Sequence, residues 1–395
     1  MIITDRPYIP DSEFKLRAEK LQAIMKREGV DIFLAYGNEA EPAYSRYLCD
    51  YWPSFESCGV VLAQEGDPIL LIGPESLTFA SDRSRLPDIR RLAAFRESSN
   101  PEYPGHVLAT FGEVIASMGV TPKVVAIAGY TLIPYTTMNE LKDSLTMYGD
   151  VKVISGDKME QELRMVKSDN EIACMRHAGM ITAKAMDDVI AKIEPGMTEL
   201  QVRGIALESM HRNGAENESY PMWVLTGTGG DQAISRARHK VIEKNDAVFL
   251  QIGARYEGYA STIGRTVFFG TGNELLKGAV KASYEAEAII QRELYAGNNA
   301  KNVAKAFYDF HETSGYKDWL LYGPCHGNGM MEGEAPWIET SSDYLLEENM
   351  TFCVDIFLGS AKTETGLRME DVVCVKKDGA ENLTNYPTEL FEIDC

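Results

Sequence analysis

A chain of 395 residues is long for one core, so two domains are expected. Its hydrophobic content of 45% and charged content of 25% are ordinary for a globular enzyme. A formal net charge of -20 excludes nucleic acid and anionic membrane as expected partners, because phosphates would be repelled.

Residues 13–29 (EFKLRAEKLQAIMKREG) place apolar side chains at helical spacing, with Gly29 as a stop. VDIFLAYG (30–37) reads as a strand, and CGVVLAQEGDPILLIGP (58–74) as two strands joined by a Glu-Gly-Asp turn. PGHVLATFGEVIASMG (104–119) predicts a helix and KVVAIAG (123–129) another strand, so roughly the first 155 residues form an α/β layer structure. Ser168 and Glu171 have the spacing of a capping box that opens a long amphipathic helix to about Ile193. A helix over 198–213 follows. AVFLQIGARYEGYASTIGRTVFFG (247–270) then reads as two apolar strands around a Glu257-Gly258 turn. Helices over 273–296 and 299–314 precede the strands MTFCVDIFLG (350–359) and GLRMEDVVCVKKDG (366–379). We place the domain boundary between residues 157 and 158, giving domains 1–157 and 158–395.

Seven cysteines at 49, 58, 174, 325, 353, 374 and 395, with no CxxC pair, fit reduced buried thiols better than a disulfide framework. The segment MIITDRPYIPDSEF lacks the basic-then-apolar pattern of a leader, and no stretch approaches the ~18 apolar residues of a spanning helix. A soluble, cytoplasmic protein is expected.

LQIGARYEGYASTIGRT (250–266), CHGNGMMEGEAP (325–336), MTFCVDIFLG and GLRMEDVVCV, in this order, resemble the pita-bread family of methionine aminopeptidase, aminopeptidase P, prolidase and creatinase. RAEKLQAIMKREGVDIFLAYG (17–37) and YSRYLCDYWP (44–53) are similar to the creatinase/prolidase-type N-terminal domain, and ELRMVKSDNEIACMRHA (162–178) resembles the entry to the catalytic domain. The resemblance implies an α/β N-terminal domain followed by an α+β pita-bread domain. It also implies a homodimer in which N-domain residues of one subunit reach the other's pocket.

In the metallopeptidases of that family, two Asp on the hairpin, one His and two Glu hold two metal ions. The matching positions here are Gln251, Thr262, His326, Asp355 and Glu370. Strand alternation should keep Gln251 and Thr262 pointing into the pocket as neutral hydrogen-bonding groups. With both hairpin carboxylates gone, the expectation is a pocket with no metal cofactor; the alternative is one divalent ion, Mn or Zn, on His326, Asp355 and Glu370.

Metal-independent relatives such as creatinase and ectoine hydrolase then set the leading functional expectation. It is hydrolysis of a C–N bond in a small carboxylate-bearing amide, amidine or guanidine compound. Two readings stand beside it: an Xaa-Pro dipeptidase or aminopeptidase with a reduced metal site, and a non-catalytic binding protein. Creatinase itself fits poorly, since Ile234 stands where its catalytic histidine would be and Gly333 where the family has a second pocket histidine.

His326, Asp355 and Glu370 are the candidate catalytic residues. His326 sits in His-Gly-x-Gly after a proline, and the two acids lie inside apolar strands, where an unpaired carboxylate would cost several kcal/mol. Gln251, Thr262, Tyr259, Arg265, Glu334 and Arg368 are candidate substrate-binding residues. For Arg265 and Arg368 the choice is between neutralising Asp355 and Glu370 and gripping a substrate carboxylate; for Glu334 it is between proton transfer and a structural bond near Pro336. His239 reads as a solvated loop residue, and His106, His177, His211 and His311 as surface or helix-packing residues.

Overall fold

The computed structural model describes residues 6–270 and 273–394. Residues 1–5, at the start of the segment read as lacking a leader, and Cys395 lie outside the described residues. The chain divides into two compact units, one spanning Ile9–Arg164 and the other built from Met165 onward together with the segment ending at Tyr8.

In the first unit α1 (Asp11–Glu28) buries Phe14, Leu21 and Met25 along one side. It stops at Gly29, whose φ of 68° costs an L side chain but not glycine. The strands are β1 (Ile32–Gly37), β2 (Cys58–Ala63), β3 (Ile69–Ile72), β4 (Ile89–Arg91), β5 (Val124–Ala128) and β6 (Lys152–Ser155). They form one mixed sheet in the order β4-β3-β2-β1-β5-β6. Around it lie the short α2 (Ala43–Cys49), α3 (Leu77–Arg83), α4 (Phe111–Ser117) and α5 (Tyr135–Leu145). The helix expected over 104–119 covers only Phe111–Ser117. Thr110 and Glu113 form a capping box that fixes its start, and Gly105, at φ 82°, lies in a turn ahead of it. The last helix of the unit, α6 (Asp157–Met165), is tied to it by the Asp157 carboxylate, which accepts from the backbone N–H groups of Gly129 (2.8 Å) and Tyr130 (3.2 Å).

The second unit opens with α7 (Asp169–Ile190), capped reciprocally by Ser168 and Glu171, and α8 (Glu199–Arg212). The strands that follow are β7 (Asn217–Glu218), β8 (Trp223–Thr226), β9 (Ala247–Ile252), β10 (Ala254–Tyr256), β11 (Tyr259–Ala260) and β12 (Ile263–Phe269). The hairpin expected as two strands is therefore four. β9 and β12 pair in the large sheet, while β10 and β11, around the Glu257-Gly258 turn, join β7 in a separate three-stranded sheet. α9 (Glu274–Glu293) and α10 (Ala300–Ser314) come next, then β13 (Cys325–Gly327), β14 (Glu334–Ile338), β15 (Thr351–Ser360), β16 (Thr365–Lys376), β17 (Gly379–Asn382) and β18 (Phe391–Ile393).

The large sheet runs β14-β13-β15-β16-β12-β9-β8, with β17 added on β16 and β18 on β12. One face packs Val354, Ile356, Leu358, Met369 and Val373 against Val280, Ile290, Val303 and Phe307 of α9 and α10. Alternation along β15 and β16 therefore sends Cys353, Asp355, Arg368 and Glu370 to the other face. The six cysteines among the described residues are buried and none is in a disulfide. No helix of the described residues is long and apolar enough to cross a membrane.

His311 of α10 is fully buried between Phe307 and Phe310, with Nδ1 3.0 Å from the Ser314 hydroxyl oxygen. Burial lowers its pKa to about 4 from an ordinary value of 6.5. Between those values the unfolded chain binds the extra proton and the folded chain does not, so stability falls as pH drops through that window. His311→Gln should flatten that part of the curve of urea midpoint against pH while leaving the slope above pH 7 unchanged.

Candidate active site

Strand pairing assembles the site. Gly264 pairs with Gln251 on one side and Glu370 on the other, Glu370 pairs with Asp355, Gln251 with Trp223, and His326 with both Cys353 and Trp337. Residues opposite each other in an antiparallel ladder share a face, so all seven strands of the path present their residues together. Gly264 sits at the centre because nothing larger fits. A Cβ there would lie 2.9 Å from the backbone nitrogen of Glu370 and would strike the Gln251 amide.

Gln251 and Thr262 meet across the hairpin, with Gln251 Nε2 donating to Thr262 Oγ1 at 3.1 Å and also to Glu370 Oε2. The Tyr220 hydroxyl lies 2.8 Å from the Thr262 hydroxyl. On the other side of Glu370, the Tyr322 hydroxyl donates to Asp355 Oδ2 at 2.8 Å. Arg368 brings Nε to 3.4 Å from Asp355 Oδ1 and Nη1 to 4.0 Å from Glu370 Oε2, and donates through Nη2 to the Ala233 carbonyl at 2.7 Å. The rings of Trp223, Tyr322 and Phe357 surround its guanidinium, Trp223 at 4.7 Å. Burial works against its charge, but Asp355 above all outweighs that and raises the Arg368 pKa.

His326 Nδ1 lies 3.0 Å from the Gly327 carbonyl oxygen, a group that can only accept, so Nδ1 carries the proton. Nε2 then faces three carboxylates: Glu332 at 3.7 Å, Asp355 at 3.8 Å and Glu370 at 3.9 Å. Glu370 is fully buried and its Oε1 has no hydrogen-bond partner. Burial first, then the charges of Asp355 and Glu332, push its pKa well up. The Cys353 thiol is likewise pushed well up, by burial and then by Glu370 and Glu332.

Other predicted site residues lie elsewhere. Arg265 neither neutralises Asp355 or Glu370 nor faces the pocket: it points to the opposite side of the sheet, where Nη2 binds Asp371 at 2.8 Å and the remaining donors reach the carbonyls of Gly264, Glu370, Tyr386 and Pro387. The buried Tyr259 donates its hydroxyl to Glu171 Oε1 at 2.9 Å, which makes it an anchor between the hairpin and α7 rather than a substrate contact. Glu334 is ion-paired with Lys167 at 3.2 Å and accepts from the Met331 N–H. Ile234 and His239 are exposed, whereas Gly333 runs past His326, its missing Cβ only 3.9 Å from the imidazole. Sequence reasoning did not single out Glu332, Cys353, Tyr322 or Tyr220. Cys353 was within reach, standing two residues before Asp355 on one strand and therefore on its face.

Residues 173–377 match metallopeptidase family M24, and residues 17–166 match the creatinase/prolidase N-terminal domain. The chain belongs to metallopeptidase family M24. The Xaa-Pro dipeptidase of Pyrococcus furiosus is 26% identical over 379 residues, spanning 95% of this chain and 100% of that one. The uncharacterized peptidase YqhT of Bacillus subtilis is 27% identical over 290 residues, 73% of this chain and 80% of that one. The crystal structure of an X-Pro aminopeptidase from Thermotoga maritima superposes with a TM-score of 0.81 over 95% of this chain and 99% of its own, a likeness of fold at 24% identity.

The expectation of a pocket without a metal cofactor is overturned. The family is one of metallopeptidases, and His326, Glu332, Cys353 and Glu370 hold their ligand atoms within 4.8 Å of one another. This quartet differs from the trio of the alternative reading: Asp355 Oδ2 lies 3.8 Å from His326 Nε2 but also accepts from Tyr322, with Arg368 beside Oδ1, and the convergent group includes Glu332 and Cys353 instead. The fit to one ion is physical. A fully buried carboxylate oxygen without a hydrogen-bond partner, an imidazole nitrogen, a second carboxylate and a thiol converge, and a cation would satisfy them together. The hairpin side contributes only the neutral Gln251 and Thr262.

Gln251→Asp with Thr262→Asp would remove a donor to Glu370 and crowd two more carboxylates beside it. In chelator the double mutant should melt below the wild type, and added Mn²⁺ should raise its melting temperature more than the wild type's. An equal response of the two proteins would show that the hairpin side has no bearing on ion binding.

Proposed function

We propose that this M24 hydrolase is a peptidase of the Xaa-Pro class, acting on small peptides as a homodimer, with one divalent ion held by His326, Glu332, Cys353 and Glu370. The convergence of those four ligand atoms within 4.8 Å carries the reading. The Xaa-Pro dipeptidase of Pyrococcus furiosus, similar along its whole length, supports the substrate class.

A bound ion would supply Lewis-acid polarisation of the scissile carbonyl and activation of the attacking water. The chain's own groups handle protons and orientation. Asp355 is the proton-transfer group: Tyr322 fixes its Oδ2, which lies 3.8 Å from His326 Nε2, while Oδ1 lies 3.4 Å from Arg368 Nε. Arg368 offsets the charge of Asp355 and Glu370 from one side, and its aromatic walls keep water from it. Gln251 holds Glu370 Oε2 by a hydrogen bond, which directs the free Oε1 toward His326. Trp337, half-exposed and 5.1 Å from the His326 ring, offers an apolar wall to a substrate side chain.

The test is turnover of a panel holding Xaa-Pro dipeptides, other dipeptides and small carboxylate-bearing amides. Xaa-Pro cleavage should stop on exhaustive chelation and return with Zn²⁺, Co²⁺ or Mn²⁺. Asp355→Asn should lower kcat by roughly 10²–10⁴-fold, the range for a positioned acid–base group, with ion content unchanged. Turnover confined to the non-peptide amides would remove the peptidase reading and keep the hydrolase. A monomer by sedimentation at micromolar concentration would remove the dimer.

A further inference from the structure

We infer that Cys353 serves as a thiolate ligand, so that this site selects a thiophilic divalent cation such as Zn²⁺ or Co²⁺ over oxygen-seeking Mn²⁺ or Mg²⁺. The inference deepens the peptidase reading and rests on it.

Cys353 is fully buried in the middle of β15, and its register partner is His326, which places the thiol and the imidazole on one face. Its Sγ lies within 4.8 Å of the ligand atoms of His326, Glu332 and Glu370. Its hydrogen bond to the Glu332 carbonyl oxygen, at 3.7 Å, is a weak sulfur contact, and the Glu370 carboxylate also lies against the thiol. A second, independent observation points to a ligand there: Glu370 Oε1, in a fully buried residue, has no hydrogen-bond partner and is aimed at His326 Nε2, 3.9 Å away. Cys325, next to His326 on β13, packs instead into the core on the helical face, and Cys374 lies near Asn349.

The ligand types set the preference. Sulfur and imidazole nitrogen make up half of the quartet, a combination that suits zinc and its softer neighbours, whereas Mn²⁺ and Mg²⁺ favour oxygen donors. On binding, the S–H bond breaks, its proton leaves to solvent, and the sulfur electron pair forms the bond to the metal. No electron is transferred.

The full-length protein, stripped with chelator and dialysed, is titrated with Co²⁺. A sulfur-to-cobalt charge-transfer band in the near ultraviolet should rise and saturate at one equivalent. Cys353→Ser should lose the band and Cys374→Ser should keep it. Cys353→Ser should also bind Zn²⁺ at least about tenfold more weakly, because even groups outside the coordination shell can cost that much. Zinc-edge absorption on the wild type needs no variant and should show one sulfur at ~2.3 Å. One equivalent of bound ion with no band and no sulfur scatterer overturns the inference and leaves the peptidase reading standing. Failure to bind any ion overturns both.

Discussion

Everything at this site depends on the antiparallel register that places Gly264 between Gln251 and Glu370 and Glu370 opposite Asp355. Strand side chains alternate, so a slip of one residue would turn the acids toward α9 and α10 and bring Met369 and Ile356 into the pocket. The register is held hard on that far side. Arg265 bonds the carbonyls of Gly264 and Glu370 and the Asp371 carboxylate, linking the two strands directly behind the site. Burial and the neighbouring Asp371 push the Glu287 pKa up, which weakens this acid of α9 as a competitor for the arginine's charge.

With the register set, the site's problem is crowded negative charge. Glu332, Asp355 and Glu370 all lie within 4 Å of one imidazole nitrogen. Part of that charge is answered within the protein, by the Tyr322 hydroxyl and the Gln251 amide as donors and by Arg368 as a cation. Burial and the carboxylates push the Tyr220 and Tyr322 phenols well up, so both remain donors at any physiological pH. The remainder is an unpaired Glu370 oxygen and a thiol facing His326. Neutral groups at the two hairpin positions and a buried thiol in β15 are two parts of one arrangement, a site drawn toward β13 and β15 and away from the hairpin.

Much of this was legible in the chain. Gly29 and the Ser168/Glu171 pair set helix ends through local backbone chemistry, and both appear in the structure. The four ordered motifs pointed to the family, and the period of two along the hairpin put Gln251 and Thr262 together. The helix over 104–119 was overdrawn because apolar spacing continued through a stretch where Gly105 turns and Thr110 caps. The same parity argument, carried three residues from Thr262 to Arg265 or two from Asp355 to Cys353, would have removed the arginine and added the thiol.

Glu332, Tyr322 and Tyr220 belong to a different class. They reach the site from loops, where no period tells which way a side chain points, and only the folded backbone brings them to His326, Asp355 and Thr262. By itself the sequence determined the elements, the family and which residues share a strand face, because these rest on local dihedral preferences and short spacings. Tertiary structure alone decided that Tyr322 and Arg368 hold Asp355 and that Glu332 and Cys353 join Glu370 around His326. That choice depends on distances of a few ångströms between segments far apart in the chain, which only packing sets.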